Sequence, residues 1–181
     1  LYKRSSFVLE AKQGSRKEEK GQPVFSEAAL ERKKQRKTGT AVRGTKGWDT
    51  AMEKAHKQAQ RYVRSLPSEE IIDGRPPFIL VVDVGNTIAM YSEFSRTGGN
   101  YIPFPDPSSY RLTLDDLNDP NVRQLLRQIW EEPMSLDPAR RSAKVTKEIA
   151  GRLAELAKSL EGAYEAEIVA QFLMRCLFTM F

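Results

Sequence analysis

The sequence holds one cysteine, Cys176, and one histidine, His56. A lone cysteine excludes an internal disulfide and a cysteine-based zinc site, and it fits a reducing, cytoplasmic setting. A lone histidine argues against Ser-His or Cys-His catalysis. No apolar run approaches the ~20 residues of a membrane span, and nothing at the start resembles a signal peptide. The chain has no initiating methionine, and it ends at Leu177-Phe178-Thr179-Met180-Phe181 inside an apolar helical pattern without a capping residue. The expectation is therefore a piece of a longer protein.

What is present suffices for one domain, or one domain and part of another: 181 residues, 40% of them hydrophobic. The net charge of +5 is unevenly placed. Residues 15–47 carry ten Lys/Arg against four Asp/Glu, so the whole positive excess sits there and the rest of the chain balances to −1. The runs Arg16-Lys17-Glu18-Glu19-Lys20 and Arg32-Lys33-Lys34-Gln35-Arg36-Lys37, broken by Gly39, Gly44 and Gly47, read as mostly loop, with a short helix at 26–34. Such a cluster suits a polyanion, because neutralised phosphates supply most non-specific DNA affinity. The plainer reading is a solvated loop.

The most informative stretch precedes that segment. Phe7, Val8 and Leu9 read as a short buried strand that runs into Glu10-Ala11-Lys12 and stops at Gly14. Residues two apart in a strand share a face, so Glu10 and Lys12 project together. A carboxylate there can hold a hard divalent cation such as Mg2+, which takes one or two protein carboxylates beside waters and substrate phosphates. The lysine can orient the attacking water while the metal lowers its pKa. The competing reading is a solvated ion pair of little energetic value.

Trp48, Met52, Ala55, Ala59 and Tyr62 then recur at helical spacing up to Ser65, with Pro67 ending the pattern. Gln58 and Tyr62, four apart, are neighbours on one edge of that helix. An amide and a phenol there can hold a water or a phosphate oxygen; otherwise they are a surface glutamine and a half-buried tyrosine. FVLEAKQG resembles the E-x-K half of the PD-(D/E)xK nuclease motif, in particular that of the amino-terminal nuclease domain of single-chain, MmeI-like restriction-modification enzymes. Gln58-Ala59-Gln60-Arg61-Tyr62 is similar to the Q-x-x-x-Y motif of RecB-type members of that superfamily. The resemblance implies Glu10, Lys12, Gln58 and Tyr62 as the catalytic set, Glu10 and Ala11 on the metal side, and Mg2+ as cofactor. It also implies a metal-binding aspartate about ten residues before the glutamate, which here falls just before Leu1. Arg32, Lys33, Lys34, Arg36 and Lys37 are the candidate DNA contacts.

Pro76-Pro77 leads into Phe78-Ile79-Leu80-Val81-Val82-Asp83-Val84, a continuous apolar run that reads as a buried strand. Gly85-Asn86 predicts a two-residue hairpin turn with glycine first, and residues 87–94 a return strand with Ile88, Met90 and Phe94 on one side. Asp83 is read as a strand-end hydrogen-bonding residue, with a further metal-site acid as the alternative. In the loop 95–109, Tyr101 and Phe104, with Tyr110 after it, read as anchors rather than base-stacking groups. Helices are predicted from Thr113 (capping box with Asp116 in place of Glu), from Pro120 to Glu132 (Val122, Leu125, Leu126, Ile129), over about 138–160 (Ile149, Leu153, Leu156, Leu160), and from near Tyr164 onward (Ile168, Val169, Phe172, Leu173, Cys176, Leu177).

The expected architecture is α/β: a restriction-endonuclease-like mixed sheet with flanking helices over 1–110, then an all-α connector over 111–181. In the resembled family such helices lead into an adenine-type DNA methyltransferase, and VAQFLMRCLFTMF is similar to that junction. The resemblance thus implies a cytoplasmic enzyme that acts on double-stranded DNA, cuts with Mg2+, and methylates with S-adenosylmethionine through domains beyond this chain. The rival expectation is an inert nuclease-like module that holds DNA within a phage-defence methyltransferase.

Overall fold

The computed structural model describes residues 1–15, 41–160 and 163–180. By contacts the chain divides into two compact units, Leu1–Met134 and Ser135–Phe181.

The first unit is built on β2 (Phe7–Lys12) and β3 (Phe78–Asp83), which pair in parallel with Phe7 opposite Phe78 and Lys12 opposite Asp83. Between them runs helix α1 (Lys46–Arg64). On one side β1 (Tyr2–Lys3) adds antiparallel to β2; on the other, β4 (Thr87–Ser92) adds antiparallel to β3 and itself carries β5 (Ile102–Pro103) and β6 (Arg111–Thr113). The six strands make the expected mixed sheet, in the order β1-β2-β3-β4-β5 with β6 also on β4. β5 and β6, two and three residues long, lie within and just after the Gly/Pro-rich stretch that reads as loop.

α1 begins at Thr45, whose hydroxyl accepts from Trp48 N–H, and carries Asp49 in its first turn and Arg61 and Arg64 in its last, matching the helix dipole. Trp48, Met52, Ala55, Ala59 and Val63 form its buried stripe, against Val8, Ile79, Val81, Ala89 and Tyr91 of the sheet. Each large apolar side chain so buried is worth about 1.5–3 kcal/mol, which outweighs the modest propensity differences within the helix. Val63 ends the stripe; Tyr62, expected there, is 49% exposed. The spacing 48-52-55-59 continues equally well to 62 or 63, and contact with the sheet selects 63.

The other sheet face is covered by α2 (Pro120–Glu131), whose Ile129 is fully buried, and by aromatic packing: Phe7 on Trp130, and Phe78 edge-on to Phe94 and Phe104. Tyr101 and Phe104 are buried, with the Tyr101 hydroxyl donating to the Pro76 carbonyl, and Tyr110 packs on Tyr91; all three anchor their loop. Asp83 faces Thr87 across the hairpin, so its loop holds three residues, 84–86, rather than two. Asn86 N–H donates to the Asp83 carbonyl (2.9 Å), which puts Gly85, at φ +76°, in the third turn position, where a type II turn needs positive φ. The expected helix at Thr113 is a short 3-10 turn, Asp115–Asn118, although Thr113 and Asp116 do exchange capping hydrogen bonds. Asp119 caps α2 ahead of Pro120 as expected.

The second unit holds α3 (Pro138–Leu160) and α4 (Ala166–Met180), which pack on each other. Asp137 accepts from Ala139 N–H at the start of α3. On α4, Val169 is buried while Ile168, Phe172, Met174, Leu177 and Phe178 remain exposed. No helix among the described residues is long and apolar enough to cross a membrane.

Candidate functional site

Val8, Glu10 and Lys12 share the β2 face that packs on α1, and the sheet's apolar covering there ends at Val8 and Val81. Past that point the face turns polar. Lys12 Nζ donates to Glu10 Oε1 at 2.8 Å and to Gln58 Oε1 on α1 at 3.3 Å. The pair is partly open to solvent, Lys12 at 39% and Glu10 at 24% side-chain exposure, so its own stabilising value is small, about 0–1 kcal/mol. Only one Glu10 oxygen is engaged by a described residue. Ala11, between them, is exposed and pairs with Val82.

Tyr62 is placed differently. Its ring leans edge-on against Tyr2 on β1, at 6.1 Å, and Tyr2 in turn donates its hydroxyl to Glu70 Oε2 (3.1 Å). The structure thus joins Glu10, Lys12 and Gln58, and puts Tyr62 one helical turn further on, over the sheet edge. Arg32, Lys33, Lys34, Arg36 and Lys37, and the helix predicted at 26–34, lie outside the described residues. The segment's flanks, however, meet beside Lys12: Ser15 bridges Val42 in parallel, with Ser15 N–H donating to Ala41 C=O and Arg43 N–H to Ser15 C=O, both 3.0 Å.

Asp83, directly across the ladder from Lys12, has a side chain with no solvent exposure. Its Oδ1 accepts from Gly14 N–H (2.8 Å) and Arg43 Nη2 (3.0 Å); its Oδ2 accepts from Arg43 Nε (2.8 Å), Trp48 Nε1 (2.9 Å) and Asn86 Nδ2 (3.0 Å). Burial pushes this carboxyl up, yet the hydrogen bonds from Arg43, Gly14 and Trp48 outweigh it and hold the pKa at about 2. With both oxygens taken, Asp83 has no position left for a metal, and it is the hydrogen-bonding residue that its strand-end place suggests. Gly14 is required for this clamp: a Cβ there would sit 2.9 Å from Asp83 Oδ2 and 3.1 Å from the Arg43 side chain.

Between the end of β2 and the first half of α1 lies a cleft of about 400 Å³, lined among others by Lys12, Gly14, Trp48, Lys54, Gln58 and Asp83. Lys54 is the residue that sequence reading passed over; its place four before Gln58 and eight before Tyr62 was the available signal. His56 stacks on Tyr91 at 3.8 Å, and burial lowers its pKa to about 4, so at neutral pH it is an uncharged packing group. Among the described residues, no three His, Cys, Asp or Glu side chains gather as a metal site.

The C-terminal end of the parallel strand pair thus carries a partly open carboxylate-lysine-glutamine cluster. No curated protein and no solved structure matches the chain significantly. The family model described as "MmeI, N-terminal domain" matches residues 1–163, nearly the whole length. The chain therefore belongs to the family of MmeI N-terminal domains, the amino-terminal region of MmeI-like restriction-modification enzymes.

Proposed function

We propose that the first unit is the nuclease part of a restriction-modification enzyme and hydrolyses DNA phosphodiesters with Mg2+. The observation that carries this reading is the contact of Lys12 Nζ with both Glu10 (2.8 Å) and Gln58 (3.3 Å) at the mouth of the cleft. The free Glu10 oxygen suits a hard cation that takes few protein ligands and keeps water and phosphate oxygens for the rest. Bound there, Mg2+ would supply charge neutralisation and a more acidic water. Lys12 holds that water or the scissile phosphate by its ammonium, and Gln58 fixes the lysine's direction. Further domains carry methyl transfer with S-adenosylmethionine in this reading.

The β1–β2 ladder bears on the second acid. Tyr2 stands opposite Val8, and Leu1 and Leu9 exchange hydrogen bonds, 2.9 Å from the Leu1 amine and 2.7 Å from Leu9 N–H. The same register puts the position before Leu1 opposite Glu10 and on its face. Directly opposed residues have Cβ atoms about 4.5–5.5 Å apart, so an aspartate there would join Glu10 at one cation. An apolar or basic residue at that position would instead favour the second reading, a non-cleaving DNA-holding module.

Incubating the full-length protein with plasmid and Mg2+ or Mn2+ tests the two. Metal-dependent linear product, absent with EDTA, is expected; intact plasmid together with normal methylation selects the inert module. Gln58→Ala is expected to slow cleavage by up to ~100-fold, since misplaced groups cost about that much, without abolishing it. Tyr62→Phe should slow it less, because the ring rests on Tyr2 rather than on Lys12. Wild-type single-turnover rates for both would remove them from the site. Replacing Arg32, Lys33, Lys34, Arg36 and Lys37 with glutamine should lower non-specific DNA affinity and flatten the plot of log affinity against log salt by about 0.9 for each phosphate no longer neutralised. An unchanged slope makes that segment a solvated loop.

A further inference from the structure

The charges around the cleft are not all accounted for by one another. Glu10 is paired with Lys12 at 2.8 Å, and Asp83 with Arg43 at 2.8 Å. Lys54 lines the same cleft, and its side chain makes no hydrogen bond or ion pair to any described residue. The nearest carboxylate in sequence, Glu53, is bound by Lys57 one turn on. At three and four positions either side of Lys54, where helix neighbours meet, stand Thr50, Ala51, Lys57 and Gln58, none of them acidic. Among the described residues, Lys54 is thus a cation without a partner at the edge of a cleft whose other charges are paired.

Its position along α1 gives that charge a direction. Lys54 stands one turn before Gln58, a rise of roughly 6 Å along the axis, and Gln58 is the α1 residue that touches Lys12. A strand whose scissile phosphate lies at Lys12 and which runs along the cleft toward the first half of α1 would pass Lys54. Lysine suits such a crossing, because its ammonium is a compact charge on a flexible stem and meets a phosphate without demanding planar, bidentate geometry.

We infer that Lys54 contacts a DNA backbone phosphate next to the scissile one and so sets how the cut strand lies across α1. This rests on the cleavage reading above. Lys54 acts through binding and alignment, not through the reacting atoms, and its loss should appear in KM and in salt dependence more than in kcat.

The test compares Lys54→Ala, Lys54→Arg and Lys57→Ala in the full-length enzyme, by plasmid cleavage and by equilibrium binding to duplex DNA without divalent metal over a salt series. Both positions are exposed on the helix, where substitutions rarely move stability by more than ~0.5 kcal/mol, so folding is not at issue. Lys54→Ala is expected to reduce the slope of log affinity against log salt by about 0.9 and to raise KM several-fold with kcat little changed. Lys54→Arg should restore both, and Lys57→Ala, at a lysine already paired with Glu53, should change neither. A wild-type slope and KM in Lys54→Ala, in an enzyme whose cleavage is abolished by Glu10→Ala, overturns this inference and leaves the cleavage reading standing. Should Glu10→Ala still cut while Lys54→Ala loses slope, the cleft holds DNA but the chemistry lies elsewhere, which overturns the inferred place beside the scissile phosphate.

Discussion

Glu10→Ala and Lys12→Ala are each expected to abolish DNA cleavage by the full-length enzyme while methylation stays near wild type. Glu10 keeps a carboxylate oxygen that no described residue engages, whereas Asp83 spends both of its own on Gly14, Arg43, Trp48 and Asn86. In the proposed metal-assisted displacement, removing Glu10 would take away charge stabilisation worth several kcal/mol, and at 1.36 kcal/mol per decade that is a loss of about 10³-fold or more. Lys12 donates to both Glu10 and Gln58, so its truncation removes the ammonium and releases both neighbours. Stability should hardly move, because a partly exposed pair is worth about 0–1 kcal/mol. Thermal melts matching wild type, together with unchanged methyl incorporation, would separate lost chemistry from lost fold. Linear plasmid produced by either variant at the wild-type rate would sink the assignment of this site.

Asp83→Ala should strongly destabilise the fold of the first unit. It strands the Arg43 guanidinium and leaves Trp48 Nε1 and Gly14 N–H without their acceptor, all at a side chain with no solvent exposure. Breaking a buried pair in this way costs about 3–5 kcal/mol, and the lower end applies, since the Arg43 side chain keeps 18% exposure and can reach water. The pH dependence has a definite sign. The carboxyl of Asp83 is held at about 2, below the ordinary 3.8, so its contribution is fully present above pH 3.8 and is lost as the pH falls from there through 2. Denaturant unfolding of wild type should therefore show a steeper decline in stability across that window than Asp83→Ala does. An unfolding free energy for the variant within about 1 kcal/mol of wild type, roughly one unit of pKa shift, would contradict the clamp. Cleavage should fail with it, because the clamp ties the end of the strand bearing Lys12 to Arg43, where the basic segment rejoins the sheet.

Much of this was legible in local pattern. Phe7 to Lys12 and Phe78 to Asp83 read as strands because the runs are short, bounded by turn residues and rich in β-branched and aromatic side chains. α1 follows from 3.6-residue periodicity, and the starts of α2 and α3 from Asp-Pro pairs that fill orphan donors locally. The shared face of Glu10 and Lys12 follows from the two-residue repeat of a strand. Each of these depends on neighbours a few positions away. The choice of Val63 over Tyr62 does not, since only the sheet beneath distinguishes two positions that continue the stripe equally well. β5 and β6 are too short to show a period and exist because β4 presents an edge to be paired. Asp83 could be suspected at a strand end, but its five hydrogen bonds come from Gly14, Arg43, Trp48 and Asn86, on four separate parts of the chain. The pairing of Glu53 with Lys57 and of Asp83 with Arg43, which leaves the Lys54 side chain without a partner among the described residues, is set in space rather than by local pattern. The sequence alone determined the main strands and helices and the residues at the end of β2, because short-range periodicity and capping act within a few positions. Only the tertiary structure decided which charges meet and which stay free, because that depends on distances between residues far apart in the chain.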